Sequence, residues 1–251
     1  MRVAILQYDI QWMDSSANIV KIEALISNEN QIDLLVLPEM CLTGFNMNAE
    51  EASIKENSKE ILDLISLCKK NTTAIIGSFA IVSEENYYNR VLHITADGIK
   101  NKYDKQYLFS PSGEDNVYTS QFPTGIFSIN GCGVMPQVCY DLRFPESVRT
   151  TALPDVIIYM ANWPKPRISH WDALLKARAI ENQCFVIGCN RIGIDQNKWE
   201  FPGHSQLISP GGEITNIDQK SEKLIVDIDH KSIAAYRSKY PFIYDKKPAT
   251  N

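Results

Sequence analysis

Three residues of reactive type, Glu39, Lys105 and Cys139, each follow a stretch that reads as a β-strand. Cys139 comes directly after the apolar run VMPQV, and Phe144-Pro145-Glu146 follows, with Pro145 suited to the first turn of a helix. At such a bend a thiol can face a ligand together with the neighbouring backbone N–H groups. Cys139 is therefore a candidate nucleophile. The alternative is a small buried hydrophobic residue, which is the usual role of a lone cysteine.

Together, Glu39, Lys105 and Cys139 could perform nucleophilic catalysis through a tetrahedral intermediate. A thiol is mostly protonated at neutral pH, and a nearby cation stabilises its thiolate. A carboxylate can take the thiol proton and later deprotonate a water molecule. The cation and a backbone N–H after the nucleophile can hold an oxyanion. Taken singly, such a Glu is usually a cap or surface acid and such a Lys is usually solvated. No His is near the three in sequence, although a distant one could approach in the fold.

The elements that must position these residues follow from hydrophobic periodicity. Alternating or continuous apolar runs predict strands at 2–8, 32–37, 73–82, 86–95, 99–103, 126–129, 134–138, 156–160, 185–190, 205–208, 213–216 and 223–229. Helical spacing and capping residues predict helices at 15–28, 50–70, 144–151, 170–182 (capped by Ser169) and 231–237. The stretch 106–121 lacks periodicity and is predicted to be a functional loop.

This order of elements predicts an α/β protein with two sheets face to face and helices outside. A single doubly wound sheet is the alternative, and the hairpins at 86–103 and 126–138 count against it. The sequence contains no linker, repeat or low-complexity segment. We therefore expect one domain over residues 1–251, with a polar tail from about residue 238.

Composition limits the possible functions of the 251-residue chain. It is 44% hydrophobic and 22% charged with a net charge of -5, so a sizeable core is expected and a general nucleic-acid binder is not. No apolar stretch is long enough for a membrane span, and no signal peptide is evident, which predicts a cytoplasmic protein. The six cysteines and four histidines match no zinc pattern, so no metal site is expected. No cofactor is expected either, because the chemistry of a thiol, a carboxylate and an ammonium requires none.

Four segments of the chain resemble the nitrilase superfamily of carbon–nitrogen hydrolases. They are LLVLPEMCLTGF (34–45), KYDKQYLF (102–109), VCYDLRFPE (138–146) and ARAIENQCFVIGCNRIG (177–193), and they occur in the family's order and spacing. The resemblance implies a four-layer α-β-β-α sandwich and a catalytic Glu-Lys-Cys triad that falls on Glu39, Lys105 and Cys139. Many members carry a second pocket Glu, and Glu114 is the matching position. Members are usually homodimers, and 169–182 resembles the partner-facing region.

The stretch CYDLRFPE, followed by ANWPKPRISHWDALLKARAIENQ, is similar to bacterial omega-amidases. This implies hydrolysis of the terminal amide of short ω-amido dicarboxylates such as 2-oxoglutaramate. A substrate carboxylate then needs a partner, and Arg143 and Arg167 are candidates because Arg binds carboxylates bidentately. Arg143 could instead form a structural ion pair, and Arg167 could be a surface loop residue. The expected pocket walls are Phe45, Tyr140 and Trp163, although ordinary packing would explain each of the three equally well.

Other functions remain open at this point. Another branch of the superfamily, such as a deaminated-glutathione amidase, a carbamoylase or a nitrilase, would share the triad. A catalytically idle binding protein with this fold is a different class. A redox-sensing thiol protein would need a second cysteine beside Cys139, and Cys132 is the closest in sequence.

Overall fold

Strands form the centre of the protein. The computed structural model describes residues 1–29, 31–121, 125–149, 152–218 and 221–245. In this described part the strands are β1 Arg2–Leu6, β2 Leu34–Val36, β3 Ala74–Ser83, β4 Asn86–Thr95, β5 Gly98–Asp104, β6 Phe127–Ile129, β7 Cys132–Val138, β8 Val156–Ala161, β9 Phe185–Asn190, β10 Ile192–Ile194, β11 Glu200–Pro202, β12 Gln206–Ile208, β13 Ile214–Asn216 and β14 Lys223–Asp227. The helices are α1 Ser15–Ile26, α2 Ala49–Ala52, α3 Lys59–Asn71, α4 Ile168–Asn182 and α5 Ser232–Lys239.

The strands form two six-stranded mixed sheets. One has the order β14-β1-β2-β3-β4-β5, the other has the order β13-β12-β9-β8-β7-β6, and β10 and β11 form a separate hairpin. Strands β1, β2 and β3 are mutually parallel, as are β7, β8 and β9. Parallel neighbours end at the same edge of a sheet, so the residues that follow them gather there.

Alternation along the strands assigns each face of a sheet to a different core. In β1, Val3 and Ile5 belong to a cluster that also contains Val134 and Val138 of the other sheet. The alternate residues Ala4 and Leu6 point to the opposite face and pack with α1 and α3. Successive side chains of the strand point to opposite faces, and both faces are buried. The expected α-β-β-α layering, with two sheets face to face and helices outside, is confirmed.

Helix α4 covers the outer face of the second sheet at close range. Trp171 and Leu175 of this helix belong to another buried cluster, which includes Tyr159 on β8. A Cβ atom built on Gly188 of β9 would lie 2.4 Å from Leu175 Cδ1, so only glycine allows this approach. The helix begins at Ile168 with Arg167 at its N-cap, and the predicted Ser169 cap is therefore wrong.

The predicted helix at 50–70 is interrupted. Helix α2 ends at Ala52 because Ser53 is extended, and α3 begins only after Ser58. Between them Ile54 forms a β-bridge with Ile81 of β3. Strand β2 pairs with only the first three residues of β3, so backbone groups farther along β3 are left for Ile54 to bind.

The α-helix predicted at 144–151 is also wrong over its described residues. Two 3₁₀ turns occur instead, Cys139–Arg143 and Pro145–Ser147, with Pro145 at a first-turn position as expected. Residues 150 and 151 lie outside the described part.

The segment expected to be a polar tail from about residue 238 includes the end of α5 and a 3₁₀ turn, Pro241–Asp245. Ile243 in this turn is buried, and its N–H donates to Gln183. None of the helices in the described residues is long and apolar enough to cross a membrane.

Candidate active site

The residues expected to react come from different strand ends of the two facing sheets. Glu39 follows β2 and Lys105 follows β5 in one sheet, and Cys139 follows β7 in the other. All three line a single cavity of about 600 Å³. The structure therefore brings together an acid, an ammonium and a thiol that are far apart in the sequence.

Cys139 occupies a strained bend between β7 and the 3₁₀ turn that follows it. Its φ is +44°, a left-handed conformation that non-glycine residues rarely adopt. Such strain costs about 1–3 kcal/mol and persists only where the surroundings enforce it. The Cys139 side chain is half-buried, and its Sγ lies 3.9 Å from the Asn162 carbonyl oxygen.

The buried Asp141 side chain enforces this bend. Its Oδ2 accepts hydrogen bonds from the Val138 N–H and the Tyr103 hydroxyl, each at 2.8 Å, and its Oδ1 accepts one from the Tyr107 N–H at 2.8 Å. Burial raises the pKa of Asp141 to about 6, although these donors act in the opposite direction. The carboxyl group thus ties the bend at Cys139 to the chain on both sides of Lys105.

Lys105 and two carboxylates form a buried ionic cluster. The Lys105 ammonium lies 2.9 Å from Glu39 Oε1 and 2.8 Å from Glu114 Oε2, and all three side chains are at most 1% exposed. Burial alone would lower the pKa of Lys105, but Glu114 and Glu39 outweigh it and raise that pKa. Glu114 lies in a 3₁₀ turn within the predicted loop 106–121, and its Oε2 also accepts from the Phe109 N–H.

Backbone and amide donors fix the Glu39 carboxylate from both sides. Its Oε2 accepts the Asn162 N–H at 2.9 Å, and the Asn162 side-chain amide donates to the Glu39 carbonyl oxygen at 2.8 Å. Its Oε1 accepts from the Asn89 amide at 2.8 Å as well as from Lys105. These contacts hold the carboxylate between the ammonium and the residues after β8.

The electrostatic environment keeps the resting Cys139 thiol protonated. Burial raises its pKa well above the ordinary value and Glu39 raises it further, whereas Lys105 lowers it by less. Lys105 acts in the direction that the sequence predicts for a nearby cation, but burial and the two carboxylates outweigh its effect on the pKa. Glu39 is the carboxylate that contacts both Lys105 and Asn162, the residue whose carbonyl oxygen lies near the sulfur.

The cavity carries every predicted substrate-binding side chain. Phe45, Tyr140 and Trp163 line it, as do Arg143 and Arg167. Glu114 is not part of the lining and instead contacts Lys105. Four more aromatic side chains, which the sequence analysis does not predict as pocket residues, also line the cavity: Trp12, Phe109, Trp199 and Phe201.

The two arginines of the cavity stack on aromatic rings. The Arg143 guanidinium lies 4.9 Å from the Trp163 ring centre and 3.3 Å from His170 Nδ1. The structural ion pair considered for Arg143 is not found among the described residues. The Arg167 guanidinium lies between the rings of Phe109 and Trp199, at 5.5 Å and 5.9 Å. Neither guanidinium has a carboxylate partner within the described part of the chain.

Several residues of the site escaped the sequence analysis. Asn162 follows β8 directly, so the reasoning applied to Glu39 and Cys139 could have found it. Asn89 lies two residues before Val91 on β4, so both side chains point to the same face, the core between the sheets. A polar residue at a core-facing position indicates a possible functional role. Nothing in the local sequence distinguishes Asp141.

A redox partnership between Cys132 and Cys139 is excluded by the strand that separates them. Cys132 begins β7 and Cys139 follows its last residue, which places the two Cα atoms roughly 20 Å apart along an extended strand. A disulfide needs Cα atoms within about 7 Å. Among the described residues, no group of three or more His, Cys, Asp or Glu side chains is arranged to hold a metal ion.

Comparisons with known proteins agree with this architecture. A solved structure of a CN-hydrolase superfamily protein from Xanthomonas campestris, with an arsenic adduct in its active site, matches with a TM-score of 0.94 at 30% identity, over 100% of this chain and 98% of that one. The omega-amidase YafV of Yersinia enterocolitica is 37% identical over 98% of this chain and 96% of its own length. The 2-oxoglutaramate amidase of Bacillus subtilis is 35% identical over 97% and 96%.

The model of the carbon–nitrogen hydrolase family matches residues 2–238, nearly the whole chain. Together with relatives that are similar over their full lengths, this match shows that the chain belongs to the carbon–nitrogen hydrolase family.

Proposed function

We propose that this protein is an omega-amidase, which hydrolyses the terminal amide of a short ω-amido dicarboxylate such as 2-oxoglutaramate to the acid and ammonia. The observation that carries the proposal is one cavity that holds a thiol, a buried carboxylate–ammonium pair and two arginines without carboxylate partners in the described residues. The first three groups suit amide cleavage, and the arginines suit an acid at the far end of the substrate. The similarity to omega-amidases supports the same reaction.

In the first half-reaction, Cys139 displaces ammonia from the amide. Glu39 takes the thiol proton as the sulfur attacks the amide carbon, which avoids a free thiolate in a site that disfavours one. Lys105 and the Tyr140 N–H hold the oxyanion, and that N–H lies in the first turn of a 3₁₀ helix, where it has no partner within the helix. The carbon–nitrogen bond then breaks. Glu39 delivers its proton to the leaving nitrogen, so that a thioester and ammonia result.

In the second half-reaction, water hydrolyses the thioester. Glu39 is a carboxylate again after it has released its proton, so it can deprotonate a water molecule that attacks the same carbon. The carbon–sulfur bond breaks, and the proton returns to Cys139. The same oxyanion donors serve both steps because the reacting carbon stays in place. The two steps together consume one water and release one carboxylic acid.

Arg167 is the better candidate for the substrate carboxylate. Its guanidinium lies over the rings of Phe109 and Trp199, and no hydrogen-bond acceptor for it occurs in the described residues, so its donors are available to a ligand. Arg143 already contacts His170. A bidentate Arg–carboxylate pair is stronger than a neutral hydrogen bond and fixes the orientation of the substrate.

The test is ammonia release from 2-oxoglutaramate, glutamine, a simple nitrile and an N-carbamoyl acid. We expect turnover of 2-oxoglutaramate to be fastest. In Arg167→Gln, the KM for this substrate should rise about 10- to 100-fold, the effect of losing a charged hydrogen bond of about 1.5–3 kcal/mol. A short amide without a carboxylate should be hydrolysed equally by both proteins.

The matched control is Arg149→Gln, which changes an exposed arginine outside the cavity and should leave KM unchanged. Turnover of the nitrile alone, or of the carbamoyl acid alone, would replace the omega-amidase proposal by another branch of the family. Absence of any turnover by the wild-type protein would favour a binding protein.

We also propose that the enzyme works in the cytoplasm as a homodimer. All six cysteines are free thiols, which suits a reducing compartment.

Ile180 near the end of α4 is 48% exposed, and Phe242 and Tyr244 of the adjoining C-terminal turn are 68% and 66% exposed. These apolar side chains suit an interface between two copies. Light scattering should give twice the chain mass of 28.4 kDa. Ile180→Asp should shift the protein toward the monomer, and a monomeric wild type would contradict the proposal.

A further inference from the structure

Asn89 of β4 contacts all three members of the buried ionic cluster. Its side-chain amide donates to Glu39 Oε1 at 2.8 Å and to Glu114 Oε1 at 3.0 Å. Its backbone carbonyl oxygen accepts the Lys105 N–H at 3.0 Å. The residue is fully buried, so both amide hydrogens are used on carboxylates and none on water.

The orientation of this amide is set by Ser78 on the neighbouring strand β3. The Ser78 hydroxyl accepts the Met40 N–H at 3.1 Å and donates its own hydrogen to Asn89 Oδ1 at 2.5 Å. An amide turned the other way would place its NH₂ group against that hydroxyl and its oxygen against two carboxylates. The network therefore directs both N–H donors of Asn89 toward Glu39 and Glu114.

The charges of the cluster explain why such a donor is needed. Two carboxylates share one ammonium in a site that is at most 1% exposed, so the cluster carries one uncompensated negative charge if all three groups are ionised. Close carboxylates in low dielectric tend to bind a shared proton. A carboxylate that holds such a proton cannot accept one from the Cys139 thiol. A neutral group that donates to both oxygens opposes this without adding a charge.

We propose that Asn89 is a positioning residue whose two amide donors hold the Glu39 and Glu114 carboxylates in place, so that Glu39 is free to act as the base. The inference rests on the amidase function proposed above. No other common side chain of this size meets the requirement. Leucine offers no donor, aspartate adds a third negative charge, and glutamine is one methylene longer in a fully packed position.

The experiment compares the pH profiles of Asn89→Leu and the wild type. At pH 7 we expect kcat/KM of the variant to fall about 10- to 100-fold, because general-base catalysis is impaired but not abolished. The acid limb of the profile should move to higher pH, because the two carboxylates lose hydrogen bonds that favour their charged form. Ser78→Ala, which frees the amide to turn, should shift the limb in the same direction by less.

A second substitution separates positioning from a purely structural role. Asn89→Leu combined with Glu114→Gln removes one of the two negative charges, and the acid limb should return toward that of Glu114→Gln alone. Asn86→Leu, the same substitution at the exposed first residue of β4, is the matched control and should leave the profile unchanged. A loss in Asn89→Leu that is equal at every pH and insensitive to Glu114→Gln would overturn the proposal.

Alkylation of Cys139 by iodoacetamide provides a readout that does not depend on the substrate. Its rate also requires removal of the thiol proton, so its acid limb should shift in Asn89→Leu as the limb of kcat/KM does. If the wild type releases no ammonia but the alkylation limb shifts, the function proposed above fails and the role of Asn89 stands. If ammonia is released and neither limb shifts, the role of Asn89 fails and the function stands.

Discussion

Cys139→Ala is expected to lower ammonia release from 2-oxoglutaramate by at least about 10⁴-fold, because no other group on the described cavity wall can form the thioester. The free energy of unfolding should change by no more than about 1 kcal/mol, since the half-buried thiol contributes little packing. Initial rates of ammonia release and urea unfolding of the same samples measure the two quantities. In the wild type, acid quenching during turnover should trap an acyl adduct that mass spectrometry places on the peptide containing Cys139.

Two controls accompany this prediction. Cys139→Ser keeps the size and a hydrogen-bond donor but replaces the thiol by a weaker nucleophile, and it should also be nearly inactive. Cys132→Ala removes a cysteine at the far end of β7 and should retain activity at some cost in stability, because Cys132 is buried between the sheets. Residual activity of Cys139→Ala above about 1% of wild type would contradict a cysteine-dependent mechanism.

Lys105→Met is expected to abolish activity and to destabilise the protein at once. Two buried carboxylates lose their only ammonium partner within the described residues, and breaking a buried ion pair from one side costs about 3–5 kcal/mol. The oxyanion also loses its charged donor, which should lower kcat by a further factor of about 10²–10³ at any pH. Urea unfolding and ammonia release on the same preparation measure both effects.

The variant Lys105→Met with Glu114→Gln keeps this prediction testable if the single variant does not fold. The cluster carries one negative charge in the wild type, two in Lys105→Met and again one in the double variant. We therefore expect the double variant to recover part of the lost stability while it remains inactive. If Lys105→Met is as stable as the wild type, the ammonium is not the group that compensates the two carboxylates.

Local sequence was sufficient for most of the strands. Their two-residue or continuous apolar pattern reflects burial between layers, a property that each strand carries by itself, as Val3 and Ile5 of β1 illustrate. The break between α2 and α3 was not predictable in this way. It depends on Ile54 binding the part of β3 that the short β2 leaves unpaired, and that contact joins distant segments.

The 3₁₀ turn after Cys139 escaped sequence reasoning for a similar reason. The apolar and polar order of residues 139–151 is compatible with a helix, and Pro145 suits its start. The backbone instead follows the hydrogen bonds that Asp141 accepts from Val138, Tyr103 and Tyr107. Two of those three donors lie more than thirty residues away along the chain.

By itself the sequence determined which groups could react and that each lies at a strand end, because residue type and hydrophobic period are local properties. It could not decide the protonation state of the Cys139 thiol. That state depends on burial and on the balance between one ammonium and the carboxylates of Glu39 and Glu114, all contributed by separate segments. The tertiary structure alone decided this balance, together with the positions of Asn89 and Asn162 beside Glu39, because electrostatic energy in a buried site depends on distances through space rather than along the chain.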